Sequence, residues 1–590
     1  MNRKVVILGG GVAGMSAAHE LIERDFEVAV YEKLRIPGGK ARSVEVSKPV
    51  PPPWNSDSAV SQNGKPLPGE HGFRFFAGFY NHLTDTMRRI PFKNNKNGVF
   101  DNLVPVEEIG FTRFGKDPIF VKAQVPWSLK GLLKQFEELF GADIGIPGEE
   151  IKFFAERIWQ LMTSCEERRL AEYEQLGWWE FLEADSKSEP FRKLLVLSLT
   201  RTLVAAQANA ASTYTIGNIF LQLLFDALDP TIDLDKMLNG ATNQVWLNPW
   251  LQYFKNTGVD YHLNAEVAGI NCTDGQILSV TIKEDGKTFD VQGDYFLSAL
   301  PIERMAPLIT DDLLKIDPTL TGIKQLAPNV EWMNGLQIFL KRDVKIGRGH
   351  LNHTDSKWAL TSVSQRQFWR EFPEYAGGDV QGIISVDISD WNSEGLNGKT
   401  AVASTRDEIF EEVWQEIKMS MIENGAQVLK DEDVHSWHLD PDIVFENGPD
   451  DPDPAKKKNR EPLLVNLINT RGLRPEAYTR IPNLFLASDY VRSNTDLATM
   501  EAANEAARRA VNCILDALSS KERHCKIWKL HEPALLGFWR ENDQVRFAKG
   551  LPWKEKLSWS IFLKPRFWYY LIKFILIRIR IWIRKKQLGL

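Results

Sequence analysis

Four apolar residues, Val5-Val6-Ile7-Leu8, run without a break into Gly9-Gly10-Gly11-Val12-Ala13-Gly14. An uninterrupted apolar run of that length, closed by glycine, predicts a strand buried on both faces. The period then changes. Between Ala13 and Arg24, the residues Ala17, Ala18, Leu21 and Ile22 recur at helical spacing, which predicts a helix lying on a sheet. Phe26 to Tyr31 predicts a second strand ending at Glu32. Leu263 to Ile282 reads as short strands joined by a turn at Asp274-Gly275, and Asn334 to Leu340 as a sheet strand. Asn483 to Asp489 reads as a buried strand ending in an acid, followed by an alanine-rich helix from Ala498. Ser198 to Leu228 is a helical run crowded with Ala, Leu and Phe, either ordinary core or the wall of a tunnel. Pro49 to Pro68 and Asn447 to Pro462 are turn-rich, and no internal repeat is visible.

Composition narrows the class. The 590 residues are 43% apolar and 25% charged, the balance of a folded globular chain. The four cysteines, Cys165, Cys272, Cys513 and Cys525, have no CxxC spacing, which argues against a zinc ribbon or a disulfide scaffold. The net charge of -6 gives no reason to expect nucleic acid as a partner. Val5 to Leu8 is too short for the apolar core of a signal peptide, which needs about 7–15 residues. The body offers no run of the roughly 20 apolar residues that a membrane-spanning helix needs.

The first motif carries chemistry. In Gly9-x-Gly11-x-x-Gly14, the first glycine makes the tight turn, the second lets a pyrophosphate approach the backbone, and the third lets the helix pack on the sheet. The helix N-terminus offers free N–H groups to phosphate. Glu32 lies 18 residues beyond Gly14, where a carboxylate binds a ribose diol. Strand, glycines, helix, strand and acid in this order predict a dinucleotide site. A second glycine pair with two cations, Gly38-Gly39-Lys40-Ala41-Arg42, suits the longer FAD pyrophosphate. Asp489 and the helix opening near Met500 would face the flavin or its ribityl chain.

Together these stretches resemble the FAD-dependent amine oxidase and phytoene desaturase superfamily over most of residues 1–515, and are most similar to the plant and cyanobacterial phytoene and zeta-carotene desaturases. The resemblance is carried by Glu70-His-Gly72-Phe-Arg74-Phe75-Phe76-Ala-Gly78-Phe-Tyr80, by Asn218-Ile-Phe-Leu-Gln222, by Asn248-Pro-Trp through Val267 to Ala299-Leu-Pro301, and by Ala487-Ser-Asp489-Tyr with Thr499-Met500-Glu501. It implies an α/β fold, with a Rossmann-like FAD-binding domain of the glutathione-reductase type interleaved with an α+β substrate domain. The FAD domain would take residues 1–102, 235–302 and 462–515, the substrate domain 103–234 and 303–461, and a C-terminal region 516–590.

Carried over by position, Gly9, Gly11, Ala13, Gly14, Glu32 and Lys33 would hold the ADP half, with Val267 by the adenine. Gly39, Lys40, Arg42, Arg74, Phe75 and Tyr80 would lie along the pyrophosphate and isoalloxazine, and Asp489 and Met500 would close the site. Two departures stand out. The desaturases' histidine is Arg74 here, and the arginine of their substrate pocket is Ile219. The resemblance implies a non-covalent FAD, since no cysteine falls between Ser488 and Met500. It also implies hydride transfer from a long apolar polyene or isoprenoid (carotenoid-like) to flavin N5, with a membrane quinone or oxygen as the acceptor. Arg74 and His71 are the catalytic candidates. The same superfamily also contains isomerases, reductive cyclases and amine oxidases.

The last stretch has a character of its own. From Trp553 to Leu590 ten Lys/Arg face a single Glu, so residues 1–552 carry -15. Arg566, Lys573, Arg580 and Arg584 fall on one helical stripe, and the apolar residues between them fall elsewhere on the wheel. This predicts a basic amphipathic helix lying in a lipid headgroup plane, its cations snorkelling, and hence a cytoplasmic enzyme peripheral to the membrane at its cytoplasmic face. The period-two alternation from Ile577 to Arg584 also fits an edge strand, and docking on the acidic body is a third arrangement.

Overall fold

The computed structural model describes residues 3–46, 65–122, 145–198, 200, 208–228, 235–555 and 563–588. Most of the proline-rich stretch, and positions 201–207 of the apolar helical run, lie outside the described residues.

The apolar run at the start forms the strand Lys4–Leu8, central in a five-stranded sheet. The order across this sheet is Asp260–His262, Glu27–Tyr31, Lys4–Leu8, Tyr295–Ser298 and Leu484–Leu486, all parallel. In chain order this reads 3-2-1-4-5, the doubly wound arrangement whose crevice lies beyond the strand ends where the order reverses. The reversal falls between Lys4–Leu8 and Tyr295–Ser298, and so at Gly9 and Ala299. The helix Val12–Ile22 ends two residues earlier than its pattern suggests, because Asp25 turns the chain at φ 58°. It packs against Met500–Ala517, and Asn504 donates to Ser16 Oγ across that contact at 2.8 Å. The hairpin Ala265–Thr273 and Gln276–Glu284 turns at Asp274 (φ 52°) and Gly275 (φ 82°), the positive pair that a two-residue hairpin turn favours.

A second, seven-stranded sheet runs Val434–Leu439, Asn334–Leu340, Gly382–Ile388, Thr361–Ser364, His350–His353, Glu108–Arg113, Lys116–Lys122. Its two faces differ. Leu336, Ile338, Ile384, Val386 and Ile388 pack with Ile409, Phe410, Val413 and Ile417 of the helix Arg406–Ser420 in one apolar core. The alternate positions, Gln337, Ser385, Asp387, Thr361, Asn352 and His350, emerge on the opposite face. All six are buried.

The C-terminal stretch is a helix, Pro565–Leu588, so the edge-strand alternative from Ile577 is not what the chain adopts. Its first turns rest on the body. Phe567 and Tyr570 are buried, Phe567 edge-on to Phe538 and Trp539, and Gly537 leaves room for the Tyr570 ring.

Candidate functional site

The crevice at the reversal of the first sheet opens into a cavity of about 620 Å³ that reaches the polar face of the second. At the glycine turn, Gly9 has φ 100°, and a Cβ on Gly14 would stand 1.9 Å from Gly9 O. Gly14 therefore serves the packing of helix on turn and is not in the cavity wall, whereas Gly9, Gly11 and Ala13 are. Gly11 faces Gly39 so closely that a Cβ on Gly39 would approach Gly11 Cα to 3.0 Å, and Gly38 N donates to Gly10 O at 3.0 Å. The helix behind this turn has Gly11 at its N-cap, no side-chain cap and no acid in its first turn. Its leading N–H groups are thus left for an anion.

Glu32 Oε2 accepts from Gly10 N at 2.7 Å and Oε1 from Leu34 N at 2.9 Å, which fixes the carboxylate in the wall. Burial pushes its pKa up, and the two backbone N–H groups pull it back. Tyr261 was not foreseen. Its hydroxyl donates to Gly10 O at 2.7 Å and fills the space a Cβ on Gly10 would need.

The cations do not stand free. Lys40 pairs with Glu303 at 2.9 Å and Lys33 with Glu461 at 3.0 Å, all four in the wall. Burial would lower the Lys40 ammonium, but Glu303 and Asp489 outweigh it and raise its pKa. Arg42 differs from expectation. Its guanidinium is buried against Asp442 and donates to Gly39 O at 2.8 Å, so it braces the glycine loop from behind and does not line the cavity.

Arg74, Phe75, Tyr80, Val267, Asp489 and Met500 all line the cavity, as do His71 and Ile219. Arg74 donates to Ala41 O at 3.2 Å and Lys40 O at 2.9 Å, clamping the glycine loop. His71 Nδ1 lies 2.6 Å from Asp440 Oδ2 and 3.7 Å from Asp442 Oδ2. Burial alone would depress the imidazole, but these carboxylates raise its pKa to about 9, so it is a cation at neutral pH. Three further wall residues, His350, Thr361 and Asp387, were not foreseen. Burial raises the Asp387 carboxyl to about 7 against the pull of Arg74 and His71, and burial lowers the His350 imidazole to about 4. The signal was there in Gly382–Ile388, where Ser385 and Asp387 alternate with Ile384, Val386 and Ile388.

Glu501 stands in the first turn of one helix and caps another. Thr499 Oγ1 accepts from Ala502 N and is the N-cap of Met500–Ala517. The Glu501 carboxylate accepts from the N–H groups of Asn81, His82 and Leu83 at the start of Asn81–Arg89.

A doubly wound sheet, a glycine cradle with an uncapped helix behind it, and an acid held at the end of the second strand define a dinucleotide-binding protein of the FAD type. The flavin-containing amine oxidoreductase family matches residues 12–515, and the chain belongs to that family. The cofactor of the chain is FAD. The residues present fit the cofactor, and no cysteine lines the cavity among the described residues. The chain is similar to the carotenoid phi-ring synthase of Chlorobaculum tepidum, 38% identical over 80 residues, which are 13% of this chain and 10% of that protein. It is similar also to the zeta-carotene desaturase of Capsicum annuum, 34% identical over 92 residues, 16% and 13% of the two chains. Each match thus spans a small fraction of the relative's length. Among solved structures, cyclohexylamine oxidase from Brevibacterium oxydans superposes with a TM-score of 0.55 at 13% identity, covering 88% of this chain and 100% of that one. At that identity the likeness concerns the fold.

Proposed function

We propose that this enzyme is desaturase-like and draws hydrogen from a long apolar polyene or isoprenoid at a membrane surface. When bound, FAD supplies the hydride acceptor. The observation that carries this reading is the cavity itself. Beyond the glycine turn its wall becomes oily, with Phe73, Phe79, Ile219, Leu223, Leu497 and Met333. Ile219 replaces a cation with an apolar side chain, which suits a hydrocarbon stem. His71, held cationic by Asp440, and Arg74, hydrogen-bonded to the glycine loop, put positive charge beside the cofactor and favour extra electron density there. An extended polyene spreads the positive charge left after hydride loss, so the chain needs no strong base.

The C-terminal helix supports a membrane address. Trp568, Tyr569, Ile572, Ile575 and Leu576 are exposed on a segment that also carries Lys564, Arg566 and Lys573. None of the described helices is long and apolar enough to cross a bilayer. The enzyme would work peripherally on the cytoplasmic face and return its electrons to a membrane quinone. Solvent extraction of the purified protein followed by mass spectrometry tests the substrate class. A long isoprenoid or polyene is expected; a bound amine or sugar overturns the reading.

A further inference from the structure

The oily cavity has one wall of a different kind. Strands His350–His353, Thr361–Ser364 and Gly382–Ile388 lie side by side, with Asn352 opposite Thr361 and Thr361 opposite Asp387. Residues paired across strands emerge on one face, and His350, two positions from Asn352, shares it. His350, Thr361 and Asp387 reach the cavity. Thr361 Oγ1 and His350 Nδ1 are buried and without a hydrogen-bond partner among the described residues, as is Asn352 Oδ1 in the same row. Phe75 meets the His350 ring edge-on at 4.9 Å, and Asp387 Oδ1 accepts from Phe73 N at 3.3 Å, where Gly72 leaves room for it. A wall built for hydrocarbon alone would not keep such atoms, because a buried polar group without a partner destabilises the fold.

We propose that this wall is a subsite for an uncharged, oxygen-bearing end group, a hydroxyl or a carbonyl, on an otherwise apolar substrate. The proposal rests on the isoprenoid reading above and narrows it: the substrate is an amphiphile with its stem along Ile219 and Leu223 and its oxygen against the second sheet. The donors and acceptors match. Thr361 both donates and accepts, and the neutral imidazole of His350 offers its unpaired Nδ1. The Asp387 carboxyl already faces Arg74 and His71, so it is poorly placed to compensate a further cation such as an ammonium.

The test titrates the holoenzyme with geranylgeraniol and with its deoxygenated hydrocarbon, following the visible absorption of bound flavin. The alcohol is expected to bind at least about tenfold more tightly, roughly the worth of one buried hydrogen bond. Thr361→Val should abolish that preference while hydrocarbon affinity and FAD content stay as in the parent, and Thr361→Ser should restore it. Equal affinity for alcohol and hydrocarbon overturns this proposal alone. If T361V loses FAD, the wall serves the polar edge of the flavin and the proposal falls. A preference for geranylgeranylamine over the alcohol also overturns it. If neither isoprenoid binds and a short amine bleaches the flavin, both this inference and the substrate reading fail.

Discussion

Glu501 reaches across from one helix to His82 at the start of another. Its Oε1 stands 2.6 Å from His82 Nδ1, while His82 Nε2 accepts from Trp528 N at 2.9 Å. The two contacts fix the tautomer: Nδ1 carries the proton and donates to the carboxylate. The same carboxylate accepts three backbone N–H groups of Asn81–Arg89, next to Tyr80, and Met500 precedes it in the chain. Tyr80 and Met500 both face the cavity. One buried charge thus locks together two segments that meet the cofactor.

Replacing that carboxylate should therefore cost stability and flavin together. Glu501→Ala strands three N–H donors and the His82 proton and is expected to destabilise the protein by about 2–3 kcal/mol. Glu501→Gln keeps one acceptor oxygen in place and should lose about half as much. Chemical denaturation measures both; equal stability of E501A and the parent would contradict the capping role.

At the glycine turn the expectation is steeper. Gly14→Ala would set a Cβ 1.9 Å from Gly9 O, so helix and turn must part. The isolated protein should fold yet carry little flavin, whereas an alanine at the exposed Gly148, where a Cβ meets nothing within 4 Å, should leave the flavin content unchanged. Flavin released by heat from equal amounts of each variant gives the comparison.

These two sites also mark what local sequence can and cannot reveal. The turn was legible because every constraint on it, Val5 to Leu8, Gly9 to Gly14 and Glu32, lies within a short stretch with fixed spacing. The capping role of Glu501 was not legible because its partners lie about 420 positions away, beyond the reach of any helical period. Arg42 was counted with the pyrophosphate cations, but its partner Asp442 arrives from the turn after the distant strand Val434–Leu439 and holds it out of the cavity wall. The polar wall was hidden for a similar reason. His350, Thr361 and Asp387 look unrelated until strand register sets them in one row.

The His71 and Asp440 pair makes a pH-dependent contribution. Its folded-state pKa of about 9 lies above the ordinary 6.5, so the stabilisation is complete below about 6.5 and is lost as pH climbs through about 9. That shift corresponds to about 3 kcal/mol. His71→Gln should remove most of the decline in stability between neutral pH and pH about 9, and it should also leave the buried Asp440 without its countercharge. The double variant His71→Gln with Asp440→Asn should recover part of the loss. Unfolding free energies measured across that range decide it: an unchanged slope in H71Q would rule the pair out as its source.

The tail prediction must respect how the helix is seated. Trp159 Nε1 donates to Glu555 O at 2.9 Å and Trp553 Nε1 to Thr163 Oγ1 at 3.1 Å, and Phe567 and Tyr570 are buried on the body. Cutting the chain at Trp553 would strip a covered surface and confuse unfolding with release from lipid. The exposed residues avoid this. Ile572, Ile575 and Leu576 point away from the body, and changing all three to Glu removes apolar area and adds three negative charges near Lys573. The variant should melt like the parent, yet stay in the supernatant when spun with vesicles containing anionic lipid, while the parent sediments. Raising salt should weaken the parent's binding only in part, because screening acts on the cations and leaves the apolar contact intact. Sedimentation of the triple variant at the parent's level would overturn the assignment of the membrane contact to this helix.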